Sequence, residues 1–295
     1  MIRFGYGTNG FGDHSLEDAL AVVAGLGYDG VGLTLDRRHL DPYDTALPRR
    51  LSHLSNRLEE LGLGTVVETG GRYLLDPWRK HRPTLLSLDG ADRRVDLLLR
   101  AVRIASEVNA EAVSFWSGAC PAGLPEEEAW ERLVRGCAEV IEEAQTREVV
   151  LGFEPEPGMF VDTLDRYDEL SRRLGFPERL GLTLDIGHCR CLEEQPVDAC
   201  VRRAAPRLVN VQIEDMRRGV HEHLEFGEGE IVFPPVLSAL ADCGYQGLVS
   251  VELPRHSHAA PEVARRSLEF LRAASPSPLT GARPTTGPVR QGVAP

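Results

Sequence analysis

Four short apolar runs end in a side chain able to hold a cation. Val149-Val150-Leu151-Gly152-Phe153-Glu154 stops on a carboxylate, and Leu180-Gly181-Leu182-Thr183-Leu184-Asp185 repeats the pattern, with His188 following. Leu208-Val209-Asn210-Val211-Gln212 ends on an amide, and Gly247-Leu248-Val249-Ser250-Val251-Glu252 again on a carboxylate. Runs of this kind mark buried parallel strands. Polar groups where such strands stop sit at the mouth of a sheet, where α/β folds place their chemistry. Glu154, Asp185, Gln212 and Glu252 are therefore a candidate site for one divalent cation. Its donors are mainly oxygens, which suits Mn²⁺ or Mg²⁺ first, with Co²⁺ and Zn²⁺ as further candidates. A single carboxylate at a strand end as readily caps a helix or pairs with an arginine; four at equivalent places favour a metal.

Other residues fall near the same mouth. His188 titrates near neutrality and is suited to carrying a proton or holding substrate. Glu156 projects to the side of Glu154 if the strand continues, although Pro155 favours a loop carboxylate. Trp116 ends another apolar run and offers a stacking face for a sugar, as do Tyr6 and Trp78; core packing is the commoner fate of each. Lys80, His81 and Arg82 could clamp an anionic group, and Arg217 and Arg218 could hold a hydroxyl or phosphate; exposed surface charge is the alternative. Gly227-Glu228-Gly229 is acidic and too late in the chain for a phosphate-cradling or dinucleotide turn.

These residues need a scaffold that brings strand ends together. Apolar runs alternate with amphipathic stretches throughout. Strands are predicted at 2–6, 30–35, 64–68, 112–116, 149–154, 180–185, 208–213 and 248–252. Helices are predicted at 16–26, 47–61, 91–107, 125–146, 164–174, 197–205, 234–243 and 261–274. Ser15 caps the first helix, with Glu17 and Asp18 in its opening turn, and Gly27 ends it. Eight strand–helix units in this length predict an α/β fold, a single (β/α)8 TIM barrel over residues 1–274. Residues 69–87 read as a long irregular lid or binding loop, and 214–231 as a second loop. The segment 275–295, rich in Pro, Ser, Thr and Gly, has little to bury and is predicted to be a disordered tail. No second domain is visible.

Bulk properties narrow the function. The 295-residue chain carries a formal charge of −12, which argues against nucleic acid as a partner. No run approaches the roughly 20 apolar residues of a membrane span, so no membrane partner is expected. Met1 leads directly into a strand with no secretory pattern, so a cytoplasmic protein is expected. The six cysteines include no C-x-x-C pair and read as reduced thiols. Lys80 is the only lysine against many arginines, a bias of lineage before function.

Taken in order, Phe153-Glu154-Pro155, Leu184-Asp185-Ile186-Gly187-His188, Val211-Gln212-Ile213-Glu214-Asp215, the segment His223 to Ile231 with its Gly227-Glu228-Gly229, and Val249-Ser250-Val251-Glu252 form a pattern. The helix-to-strand turn Gly27-Tyr28-Asp29-Gly30-Val31 belongs to it as well. The pattern resembles the xylose isomerase-like TIM-barrel superfamily, the sugar phosphate isomerase/epimerase group, over about residues 1–274. In that family a Glu, an Asp, a His and a Glu on strands five to eight hold a divalent metal. The resemblance puts that role on Glu154, Asp185 and Glu252. Gln212 stands where the family usually has His; its carbonyl oxygen can coordinate but is neutral, and His223 is a candidate substitute. The resemblance also matches His188 to a conserved-role histidine of the family and Arg218 to its substrate-binding arginine.

The implied substrate is a small polyhydroxy molecule: a sugar, sugar phosphate or cyclitol. The implied chemistry is isomerisation or epimerisation by proton transfer beside a carbonyl, through a metal-stabilised enediolate, with Glu154 and Glu252 exchanging the proton. A lyase or dehydratase would share the intermediate. A metal-free or non-catalytic binding barrel is the third reading, with Gln212 the sign of a degraded site. An abasic-site endonuclease is disfavoured by the acidic charge and by too few suitably placed histidines. Association as a homodimer is left open.

Overall fold

The structure is a computed structural model that describes residues 1–276. Eight of its strands run parallel and close into a barrel: β1 Arg3–Gly7, β2 Gly30–Thr34, β3 Gly64–Glu68, β4 Ala112–Phe115, β5 Leu151–Phe153, β6 Leu180–Asp185, β7 Leu208–Ile213 and β10 Leu248–Val251. Around the barrel their order is β1-β10-β7-β6-β5-β4-β3-β2. The helices between them are α1 Leu16–Leu26, α2 Leu47–Leu61, α3 Ala91–Glu107, α4 Glu126–Thr146, α5 Leu164–Arg173, α6 Ile186–Leu192, α7 Val197–Ala204, α8 Phe233–Asp242 and α9 Ala260–Ala274. This is the predicted (β/α)8 barrel.

The strands form where β-branched and apolar residues run together, and β2, β4, β5, β6 and β10 are buried at every position. The helices bury one face each. α1 begins at Ser15, whose hydroxyl accepts from the Asp18 amide at 3.2 Å, and stops at Gly27, whose φ of 87° only glycine adopts readily. Register then sets the neighbours at the mouth: Asp185 of β6 pairs with Gln212 of β7, and Gln212 pairs with Ser250 of β10. In the middle of β2, a side chain on Gly32 would collide with the Glu68 carboxylate, so a glycine here makes room for an inward acid.

Two elements depart from expectation. The predicted loop 214–231 contains a two-stranded antiparallel hairpin, β8 Asp215–Arg217 and β9 Val220–Leu224, which forms its own small sheet. Gly219, at φ 71°, supplies its tight turn. Directly after β6 comes the extra helix α6, capped by Asp185 itself. The insertion 69–87 has neither helix nor strand, as predicted. Most of the predicted tail, from residue 277 on, lies outside the described residues. Among the described residues no helix is long and apolar enough to cross a membrane.

Candidate active site

A cavity of about 560 Å³ opens at the C-terminal end of the barrel strands. Strand ends build its floor: Glu68 from β3, Glu154 after β5, Gln212 from β7 and Glu252 after β10. Asn9 reaches it from the turn after β1, His81 from the insertion, and His221 and His223 from β9.

The floor is crowded with acid. Glu68, Glu154, Asp185 and Glu214 are buried, and Glu156 and Glu252 are half-buried. Burial disfavours a carboxylate's charge, and like-charged neighbours add to the effect. Burial, then Glu252, pushes Glu68 up to about 8. Burial, then Glu252, pushes Glu156 up to about 7. Glu154 and Asp185 are driven well above the carboxylate range by burial first, then by Glu156 and Glu214 respectively. Burial also raises Glu252, although the Asn9 side chain donates to its Oε1 at 2.9 Å.

Several donor atoms on this floor have no hydrogen-bond partner: Asp185 Oδ2, Gln212 Oε1, both oxygens of Glu214 and Nδ1 of His223. The adjacent acid behaves differently. Asp215 accepts backbone N–H groups of Met216, Gly227 and Ile231 at 2.9, 2.9 and 3.1 Å and so ties the base of the hairpin to the following loop. Asp215 is a structural acid; Glu214 is buried without a hydrogen bond, and its nearest charged neighbour is His223, with Nδ1 3.7 Å from Oε1. Unpaired buried carboxylates are costly, and a cation among them offsets that cost. The donor set therefore fits a divalent ion.

Asp185 lies at the centre of two ligand-like groups. One joins it to Glu154 and His188, the other to Glu214, His223 and Glu252, with one donor atom from each residue within 4.8 Å of the others. The Asp185 carboxylate also fixes His188 by accepting its backbone N–H at 2.7 Å. The His188 ring is held by the Pro155 carbonyl, 3.2 Å from Nδ1, and its Nε2 lies 3.1 Å from His221 Nε2. Burial, then His221 and His223, lowers His188 well below neutrality. Burial, then His223, lowers His221 to about 4. His223 goes the other way: burial opposes its charge most strongly, but Glu214, Glu252 and Glu156 together outweigh burial and raise it to about 9.

Residues 20–274 match the family described as Xylose isomerase-like TIM barrel. The chain belongs to that family. Rhizopine catabolism protein MocC of Rhizobium meliloti is 33% identical over 151 residues, 44% of this chain; the match spans about half of that relative, 46%. L-ribulose-5-phosphate 3-epimerase UlaE of Shigella flexneri serotype 5b (strain 8401) is 25% identical over 246 residues, 80% of this chain and 81% of that protein. A crystal structure of IOLI protein with a binding zinc atom superposes with a TM-score of 0.72 at 16% identity, over 92% of this chain and 98% of that one. At that identity the likeness is one of fold.

Against the family pattern, the predicted residues divide. Glu154, Glu156, His188, Gln212, Glu252, Trp116, His81 and His223 all line the cavity, and Asp185 touches its floor through His188. Glu154 and Glu252 nevertheless stand in different ligand-like groups. The Gln212 amide turns to Glu68, donating to its Oε1 at 3.4 Å, which leaves the carbonyl oxygen free. Trp116 packs edge-to-face with His81 at 5.3 Å and forms one wall. Lys80 is on the rim.

Arg218 is a correction. It sits exposed at the hairpin turn, outside the cavity, where its guanidinium donates to the Glu193 carbonyl and its backbone N–H to Glu230 at 3.0 Å. Folding 214–231 as a hairpin turned that arginine outward. Arg217 is exposed too and donates to the Glu228 carbonyl. Tyr6 is fully buried core and Trp78 is exposed, so neither stacks in the cavity.

Sequence reasoning missed Glu68, Asn9, Glu214 and His221. Glu68 ends the predicted third strand just as Glu154 ends the fifth. Glu214 lies two residues beyond Gln212, and His221 two before His223, the period that places side chains on one face of an extended chain. Asn9 carried no signal beyond its place after β1.

Proposed function

We propose that the chain is an isomerase or epimerase of a sugar, sugar phosphate or related polyhydroxy carbonyl compound, and that it depends on a divalent metal. One observation carries the reading: a chamber of acids at the barrel mouth whose buried oxygens lack partners. The similarity to an epimerase over four-fifths of both chains supports it.

The oxygen seat is Glu154, Asp185, the Gln212 carbonyl oxygen and Glu252, with Glu214 beside them. When bound, the cation polarises the substrate carbonyl as a Lewis acid and so acidifies the neighbouring C–H. The chain's own groups do the rest. Glu154 removes the proton from the carbon beside the carbonyl, and Glu252 returns one. Burial raises the proton affinity of both acids above that of a free carboxylate, which favours proton transfer to them. The Asn9 amide holds Glu252 in place. Ser114 Oγ, 3.4 Å from Glu154 Oε2, and His188 Nδ1, 3.5 Å from Glu154 Oε1, orient the other acid. Trp116 and His81 close one wall and limit water.

The test combines metal analysis of the purified protein with NMR of candidate ketoses and ketose phosphates in D₂O. The expected result is a bound divalent metal and deuterium at the carbon beside the carbonyl, both lost in Glu252→Gln. A dehydrated product would assign a lyase instead. A folded protein that neither binds a divalent ion nor exchanges any proton overturns the reading.

A further inference from the structure

The insertion after β3 is fastened by a charge that lacks a counter-charge. Arg94 of α3 is buried, and among the described residues no carboxylate pairs with it. Burying an unpaired charge is costly. Its guanidinium is spent on main chain instead: Nε donates to the Pro83 carbonyl at 2.9 Å, and Nη2 to the His81 carbonyl at 2.9 Å. The same guanidinium lies 5.6 Å from the centroid of the Trp116 ring. Trp116 in turn packs edge-to-face on the His81 imidazole, with 5.3 Å between centroids. A helix, a strand end and the insertion thus converge on one residue.

His81 itself is held in an unfavourable backbone conformation. Its φ is 60°, in the left-handed region, and its N–H donates to the Arg72 carbonyl at 2.6 Å. A residue other than glycine stays in that region only where its surroundings enforce it. The result is a fixed ring in the cavity wall. Its Nε2 is buried and has no partner, while Gly70 offers its carbonyl to the ring. A carbonyl only accepts, so the ring nitrogen on Gly70 carries the hydrogen. A neutral imidazole has one N–H, which leaves the other nitrogen as a bare acceptor. The ring stays neutral: burial first, then the charges of Lys80, Arg94 and Arg72, lower it to about 3.

We infer that His81 accepts a hydrogen bond from a substrate hydroxyl at Nε2, with Nδ1–H kept on the Gly70 carbonyl and Arg94 as the positioning residue behind it. That ligand class rests on the function proposed above, and the wall narrows it. A hydroxyl can donate to Nε2. A phosphate dianion offers only acceptor oxygens, and here lone pair would face lone pair. His81 is thus no member of an anion clamp with Lys80 and Arg82. A hydroxylated end of the substrate lies against Trp116 and His81, and a phosphorylated end does not.

The test is nitrogen NMR on the full chain, labelled with ¹⁵N-histidine and kept in Mg²⁺. The His81 signals are assigned by their loss in His81→Phe. At pH 7 Nδ1 is expected to carry the hydrogen and Nε2 to resonate as a bare nitrogen, unchanged down to pH 5. Xylitol or myo-inositol, polyols with no carbonyl to react, should shift Nε2 upfield. His81→Phe should raise the polyol dissociation constant about 10-fold, in line with the loss of one buried hydrogen bond. In Arg94→Met the two His81 nitrogens should average between tautomers, a change that lower stability alone does not produce. Arg94→Lys should not restore them, because an ammonium cannot reproduce the two-pronged grip. Circular dichroism and melting curves check that the variants fold. An imidazolium or an Nε2–H tautomer at pH 7 overturns the inference, as does an Nε2 resonance that neither polyol moves. A protein whose Nε2 responds to polyol but that exchanges no proton in D₂O keeps the inference and overturns the enzyme reading. Proton exchange with the tautomer reversed does the opposite.

Discussion

The two ends of the barrel share the same strands and treat charge in opposite ways. At the N-terminal end, Arg3 opens β1 and binds both oxygens of Glu111, just before β4, at 3.0 and 2.8 Å. Asp29 accepts the Phe4 N–H at 2.9 Å, and the Tyr245 hydroxyl donates to the Leu248 carbonyl at 2.9 Å. At the C-terminal end, Asp185, Gln212, Glu214 and His223 leave buried atoms without partners. Charge at the first end is closed on itself and serves the fold. Charge at the second end is left incomplete, and its completion has to come from outside the chain.

That contrast can be broken by experiment. The largest effect is expected from Glu154→Gln or Glu252→Gln. Each should cut proton exchange by about 10²–10⁴-fold, the usual worth of a placed acid or base. Neither should lower the metal-free protein's melting temperature, because each removes a repelling charge from a crowded floor. A fall of several degrees in the metal-free state would mean these acids hold the fold after all.

Next in size is metal removal. An ion present at about 100 times its dissociation constant contributes about 2.7 kcal/mol to stability. Chelation should therefore lower the melting temperature by roughly 5–10 °C in a domain of this size. A scanning-calorimetry trace unmoved by chelator would count against a bound ion.

A smaller effect is expected at the opposite end. Glu111→Ala should cost about 1 kcal/mol or less, since the Arg3 and Glu111 side chains keep 36% and 29% of their exposure and solvent screens the pair. Metal content should not change, and equilibrium denaturation read beside metal analysis checks both halves. Smallest is Arg218→Ala, which should leave the substrate KM unaltered and shift stability by about 0.5 kcal/mol or less. A several-fold rise in KM would restore Arg218 as a substrate ligand and require the hairpin turn to fold inward.

Much of the fold was legible because it rests on repetition. Each barrel strand is a dense apolar run, and each run announces the residue at its end, so Glu154, Asp185, Gln212 and Glu252 could be named from spacing. The hairpin announces nothing of the kind. β8 and β9 are short, polar and paired only with each other, and Asp215 fastens them with backbone bonds that no pattern of apolar residues encodes. The fates of Arg218 and His221 followed from that. Glu68 was overlooked for another reason: it closes its strand like the others, but its partner in the cavity is Gln212, across the barrel and far away in sequence. Distance along the chain hid the contact, and only closure of the barrel revealed it.

The hairpin's isolation has an evolutionary consequence. Its two strands share no ladder with the barrel. Side chains on a strand alternate with a period of two, so a slip of one residue exchanges the faces of every side chain on it. One codon inserted at the Arg218-Gly219 turn would turn His221 and His223 away and bring Glu222 round in their place. The strand ladders of the barrel do not include either strand of the hairpin. A lineage of such proteins can exchange nitrogen for oxygen in its cavity in one step, and the bonds at stake are the hairpin's own to α6 and to the following loop.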